Sequence, residues 1–272
     1  MTKPIILGAV LYDPKVSVIW DIIREYFEEN GVPMDVVFFT NYELQVKSLL
    51  NGQLDVAWNS PLAWIDTQRR ANDACRAIAM RDTDRDRCSH LITKKASGVT
   101  SPGDLKGKTI GFGAEDSPQA RLIPIQMLSE HGLKAGDDYT AKRFDVLVGK
   151  HGDHIGGELD AFKALEAGDV DVSCLLDLNW EAWTKDGTIN TEEYAIIATT
   201  DNFDHCNFTV LDGFDTDREK AFLEALFAMD YENPDHKEMM DLEGLKKWEP
   251  GRTSGYGQLT TGCELISFFE GR

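Results

Sequence analysis

The densest gathering of chemically able side chains is Lys150-His151-Gly152-Asp153-His154, with Glu158 four residues beyond His154. Two imidazoles and two carboxylates at that spacing suit metal ligation, contact with a ligand, or a solvated polar loop. The closed ligand set of structural zinc and the HExxH pattern are both missing, so no metal centre is expected. Gly103-Asp104-Leu105-Lys106-Gly107-Lys108-Thr109 resembles a phosphate loop, but three residues separate its glycines where four are needed, and it leads into a strand. Trp58, Trp64, Trp180 and Trp183 fall at strand ends or on helices beside the expected sheet edge. They read as core or lobe-contact aromatics, or as a cage suited to a cationic ammonium group. Neither GxSxG nor a dinucleotide fingerprint nor a Cys/His pair at a known spacing occurs, and Asn207-Phe208-Thr209 matches a glycosylation acceptor only formally. No catalytic constellation emerges, and no cofactor is expected.

The elements that must position these groups alternate between strand and helix patterns. Ile5–Val10, Met34–Phe39 and Leu54–Trp58 read as strands; Val16–Asn30 and Tyr42–Asn51 read as helices closed by Gly31 and Gly52. Ser60 is placed to cap a third helix, with Pro61 at its first position. A second round repeats the plan. Cys88–Thr93 and Thr109–Gly113 read as strands, and Ser117-Pro118 caps a helix running to about His131. Phe144–Val148 and Val170–Leu175 read as strands around a helix over Glu158–Ala167. Tyr194–Ala198 and Phe208–Leu211 are two more strands, Arg218–Met229 is a helix, and the tail from Asp230 is loop-rich with short helices. Such repeats predict parallel sheets covered by helices, with ligands met at the carboxyl edge of the strands.

Composition narrows the function classes. The 272 residues carry 47 Asp+Glu against 28 Lys+Arg, a formal net charge of −19. That field repels nucleic acid and anionic membrane surfaces. No stretch approaches the ~18 apolar residues of a membrane span. Five scattered cysteines without CxxC read as small buried hydrophobes rather than a disulfide framework. The N-terminus enters a strand without a basic region and long apolar core, so the chain as it stands reads as cytoplasmic. A trimmed leader would place it in the periplasm or at the cell surface.

Several stretches occur together and in order: Thr40-Asn41-Tyr42, Gly52–Trp58 followed by Ser60-Pro61-Leu62-Ala63-Trp64, Asp104–Phe112, and Gly168-Asp169-Val170-Asp171. From about residue 5 to 215 the chain resembles the phosphate/phosphite/phosphonate-type solute-binding proteins of ABC importers. The resemblance implies an α/β fold of two Rossmann-like lobes with a central ligand cleft, the type II periplasmic-binding-protein architecture. Residues 1–86 plus 200–272 would form one lobe and 87–199 the other, with hinges near 86–90 and 198–204. Closure on the ligand would be a hinge motion without chemistry.

The resemblance also implies ligand-binding positions. Tyr42 matches the family aromatic at the head of the second helix. The turn that receives phosphonate oxygens falls on Ser117-Pro118-Gln119-Ala120, retaining Ser117 but replacing the next hydroxyl with Pro118, which also removes a donor. A family tyrosine becomes Arg87. A family histidine aligns with Glu158, or with His154 if an insertion intervenes. Acidic residues that meet a ligand's amino group fall near Asp177 and around Asp204-His205-Cys206. Tyr12, Trp58 and Trp180 are candidate cleft aromatics. Asp116 and Glu158 oppose a dianion, whereas Arg87, Lys150 and the histidines offset them, so the expected ligand is small and carries one anionic group or mixed charge. The leading reading is a monomeric solute-binding protein that works with an ABC permease. The alternatives are a leaderless cytosolic enzyme on the same fold, or a sensor module.

Overall fold

A computed structural model describes residues 3–152 and 156–271. The chain opens with β1 (Ile5–Val10), α1 (Lys15–Glu29), β2 (Met34–Phe39), α2 (Tyr42–Leu50), β3 (Val56–Asn59), α3 (Pro61–Arg70) and β4 (Cys75–Arg81). The middle holds β5 (Ser89–Lys94), β6 (Thr109–Phe112), α4 (Ile123–Glu130), β7 (Thr140–Arg143), α5 (Gly156–Ala167), β8 (Val172–Leu176), α6 (Asp177–Lys185) and β9 (Tyr194–Thr199). The last part holds β10 (Asn207–Leu211), α7 (Thr216–Phe227), α8 (Pro234–Glu243), β11 (Trp248–Pro250) and α9 (Gly257–Leu265).

These elements form two compact units. The first runs to Asp86 and resumes over Asp204–Gly255; the second comprises Arg87–Phe203 and the tail from Tyr256. The tail, assigned by the sequence to the first lobe, falls in the second unit from Tyr256 onward. The cause is packing: α9 lies on α4, and Gly262 lets its backbone approach the Leu122 carbonyl so closely that any Cβ would overlap it.

The first unit is a six-stranded sheet ordered β11-β4-β10-β3-β1-β2. β1 runs parallel to β2 and β3, and β10 runs antiparallel to β3 and β4. Helix α1 turns Val16, Ile19, Trp20, Ile23 and Phe27 inward at helical spacing to cover it. Asn41 caps α2 by accepting from Leu44 N at 2.9 Å, and Ser60 caps α3 by accepting from Ala63 N at 3.1 Å. Arg252 clamps the two ends where this unit's chain leaves and returns, bonding Asp86 Oδ1 at 2.7 Å and both oxygens of the buried Asp204.

The second unit is a five-stranded sheet ordered β7-β6-β8-β5-β9, with β6 parallel to β7 and β8 and β5 antiparallel to β8 and β9. It repeats the arrangement of the first, a parallel trio followed by an antiparallel strand. Leu91, Ile110, Phe112, Leu128 and Val172 fill one side of this sheet, and Ile92, Phe162, Leu165 and Leu175 fill another cluster.

Two parts of the sequence reading change here. The strand expected over Phe144–Val148 lies instead at Thr140–Arg143, where Thr109–Phe112 pair with it residue for residue. Residues 144–152 then form a loop with Leu147, Gly149, His151 and Gly152 at positive φ, a backbone no strand can contain. Strand β4 and helix α6 carry no clear apolar period and had no counterpart in the sequence reading.

Candidate functional site

At the carboxyl edge of the second unit's sheet, β6 feeds a helix head built from Ser117-Pro118. Ser117 accepts from Ala120 N at 3.2 Å, and Pro118 occupies the first position, where a missing N–H costs nothing. The first turn is a π-turn over Pro118–Leu122, with Leu122 N donating to Ser117 O at 3.0 Å. Pro124 explains it. A proline cannot donate back to Ala120, and that carbonyl accepts instead from Gly113 N at 3.1 Å, tying the strand end to the helix head.

The side chains behind this turn form a buried polar network. Gln119 Nε2 donates to Gly152 O at 2.8 Å and to Glu158 Oε1 at 3.0 Å. Glu158 Oε2 accepts from Leu176 N at 2.8 Å and from Asn179 Nδ2 at 2.7 Å. Ser89 Oγ donates to the Gln119 carbonyl at 2.6 Å. Glu158, expected to meet a ligand, therefore spends both oxygens on the second unit's own frame. Asn179 and Ser89 were missed because single polar residues at element ends carry no sequence signal.

The loop over residues 144–152 is sewn to the same turn. Gly149 N donates to Asp116 Oδ2 at 2.5 Å. Gly152, at φ +72°, lies so close that a Cβ there would sit 2.6 Å from Ser117 Oγ and 2.9 Å from Gln119 Nε2. Lys150 has its ammonium pushed below the ordinary value by burial. His154, and Asp153 beside it, lie outside the described residues.

Arg87 and Asp177 meet on this edge because β5 starts beside the end of β8; their charged groups are 3.4 Å apart. Asp177 opens α6. Trp180, half-buried on that helix, stands edge-on to His90 with ring centroids 6.3 Å apart. His90 Nδ1 lies 3.0 Å from Thr199 Oγ1, and burial holds its imidazole below the ordinary value.

The first unit places the remaining candidates. Tyr42 is the first residue of α2 and is 1% exposed. Tyr12 is half-buried, packed against the core beyond β1. Trp58 lies within that core, against Trp20, Phe208 and Trp248, with the Arg81 guanidinium 5.3 Å from its ring. His205 Nδ1 sits 3.1 Å from Cys206 Sγ and 3.5 Å from Asp84 Oδ1. These three residues offer metal-ligand atoms within 4.8 Å of one another. Asp84 is nevertheless engaged elsewhere: Arg81 grips both its oxygens at 2.6 and 2.7 Å, and Cys206 N adds a bond at 3.1 Å. Burial opposes its charge, but the Arg81 guanidinium outweighs that and holds the carboxyl well below the usual range. A cation would have to displace or sit against Arg81, so the chemistry of this set favours an internal ion pair over a metal.

All five cysteines are free, and burial drives the thiols of Cys75 and Cys263 up to about 11 and about 12. Four are buried packing residues, as expected, and Cys88 is half-buried. No helix among the described residues is long and apolar enough to cross a membrane.

The family model described as "ABC transporter, phosphonate, periplasmic substrate-binding protein" matches residues 11–256. An uncharacterized protein of Haemophilus influenzae is 60% identical over 42 residues, which are 15% of this chain and 59% of that relative, less than two thirds of its length. The probable ABC transporter phosphite binding protein PhnD1 of Prochlorococcus marinus is 20% identical over 243 residues, covering 86% of this chain and 78% of the relative. The solved structure of Prochlorococcus marinus PhnD1 with methylphosphonate aligns with a TM-score of 0.72 at 17% identity, covering 97% of this chain and 98% of that one. XAC2383 from Xanthomonas citri bound to ATP aligns at 0.73 and 14% identity, covering 98% and 99%. At such identities the structures establish the fold, which is that of type II periplasmic binding proteins. The family match, extending over most of the chain, establishes that this solute-binding protein belongs to the periplasmic phosphonate substrate-binding proteins of ABC transporters.

Proposed function

We propose that this chain captures a small solute bearing an anionic group or mixed charge, phosphonate-like or zwitterionic, in the periplasm and passes it to an ABC permease. The observation that carries the ligand class is the Arg87–Asp177 pair on the carboxyl edge of the second sheet, beside the Ser117-capped helix head. A guanidinium suits an anionic oxygen, and a carboxylate suits a cationic end. In the second unit, Arg87, Ser117, Gln119, Asp177 and Trp180 are the proposed ligand-facing positions, with Glu158 holding Gln119 in place. In the first unit, Tyr42 and His205 are proposed, the one at the start of α2 and the other just before β10.

Thermal-shift measurements against phosphonates, sulfonates, carboxylates and amines test this reading, followed by mass spectrometry of any co-purified solute. A compound of mixed or single negative charge is expected to raise the melting temperature by several degrees while being recovered unchanged. Turnover of that compound, or a response confined to uncharged solutes, would overturn it.

A further inference from the structure

Two buried oxygens at the helix head have no hydrogen-bond partner: Asp116 Oδ1 and Gln119 Oε1. Asp116 is 0% exposed and Gln119 is 2% exposed. Neither atom could turn away by rotation of its group. Asp116 is held by Gly149 N on Oδ2. Gln119 is held by Gly152 O and Glu158 Oε1, both acceptors, so its amide nitrogen must face them and its oxygen must face the other way. Both orphans lie where the loop over residues 149–152 meets the turn over residues 116–119. A ring nitrogen of His151 lies within 4.8 Å of a carboxylate oxygen of Asp116, but only Oδ2 is hydrogen-bonded, and a buried carboxylate oxygen left without a donor is costly.

Donors for an anion are scarce in these side chains. Pro118 has no N–H, the amide nitrogen of Gln119 is committed twice, and the Ser117 oxygen caps the helix. The family resemblance would place anionic oxygens at this turn, yet the two buried side-chain atoms left without a partner here, Asp116 Oδ1 and Gln119 Oε1, are both acceptors.

We propose that the turn at Asp116 and Gln119 receives a protonated amine, or a comparably N–H-rich cationic group, of the bound solute, and not its anionic oxygens. This rests on the solute-binding reading above and deepens it. Asp116 supplies the counter-charge, Gln119 Oε1 supplies a neutral acceptor, and Glu158 acts through Gln119 as a positioning residue. The complement is specific. An ammonium has several donors to share between the two oxygens, whereas a phosphonate or sulfonate has acceptors that both oxygens repel.

Isothermal titration of the full chain with two matched pairs tests it: ethylphosphonate against 2-aminoethylphosphonate, and ethanesulfonate against 2-aminoethanesulfonate. The amino member is expected to bind at least tenfold tighter in each pair. Asp116→Asn and Gln119→Met should each bring that ratio to within about twofold, with melting temperatures showing that both variants remain folded. Equal binding of the alkyl and amino members would overturn the inference while leaving solute binding intact, as would a ratio that survives both substitutions. Binding of none of the four compounds would overturn the inference together with the ligand class on which it rests.

Discussion

The side-chain amide of Gln119 donates to Glu158 Oε1 at 3.0 Å while Leu176 N and Asn179 Nδ2 hold the other carboxylate oxygen. One buried acid thus joins the helix head after β6, the first turn of α5, the end of β8 and the first turn of α6. An acid in this position braces the carboxyl edge of the sheet from behind. Its charge is balanced by donors of the frame, and none of those bonds needs a solute.

Replacing that acid should therefore damage the fold before it alters specificity. Glu158→Ala orphans three donors at roughly 1–3 kcal/mol each, so an overall loss of about 3 kcal/mol or more is expected in urea denaturation. A loss below about 1 kcal/mol would show that the network does not carry the edge.

Ser117 tests the cap. Ser117→Ala removes the acceptor for Ala120 N, with an expected cost of about 1 kcal/mol. Ser117→Asp should recover much of the stability, because a carboxylate also caps a helix. It would also add negative charge at the turn, so the affinity for an anionic solute such as methylphosphonate should fall further than in the alanine variant. Equal affinities in the two variants would mean that this turn does not sense ligand charge.

The imidazole of His90 makes stability depend on pH. Burial keeps it neutral more readily when folded, so the unfolded chain binds the proton better. The contribution of His90 is complete above the ordinary imidazole pKa of about 6.5 and is lost as pH falls from there through the lower folded value. Melting temperatures from about pH 7 down to about pH 5 should drop less steeply in His90→Gln than in the parent chain. Parallel profiles would contradict the assignment.

The docking of the tail depends on Gly262. Valine there would drive its side chain into the Leu122 carbonyl, which cannot move without unwinding the π-turn. We expect about 2 kcal/mol or more of destabilisation. Hydrogen exchange should accelerate in both α9 and the 118–130 helix. Acceleration in α9 alone would mean that the contact does not support the helix head.

Legibility in the sequence followed the range of the interaction. Ser60 and Ser117 were readable as helix starts because a cap needs only the next three residues. Val18, Ile19, Ile22, Ile23 and Phe27 revealed a helix because their spacing is local, and of these Ile19, Ile23 and Phe27 are the ones buried. Phe144–Val148 misled for the opposite reason. Its apolar residues suit a strand, but β6 pairs with the four residues before it, and Asp116 captures Gly149 N across 33 positions.

The candidate site divides in the same way. The stretches Thr40-Asn41-Tyr42, Gly52–Trp58, Asp104–Phe112 and Gly168–Asp171, in that order, were enough to mark a solute-binding family, and the alternating strand–helix periods pointed to the carboxyl edge, since caps, turns and periods are written in short stretches. Whether a carboxylate braces the frame or remains available depends on which donors reach it. Glu158 meets donors from residues 119, 176 and 179, whereas Asp116 keeps one oxygen unmatched. Those encounters are set by strand order and by the path of the loop over residues 144–152. Hydrogen bonds act over about 3 Å in space at any separation along the chain, so the role of each acid was settled by folding.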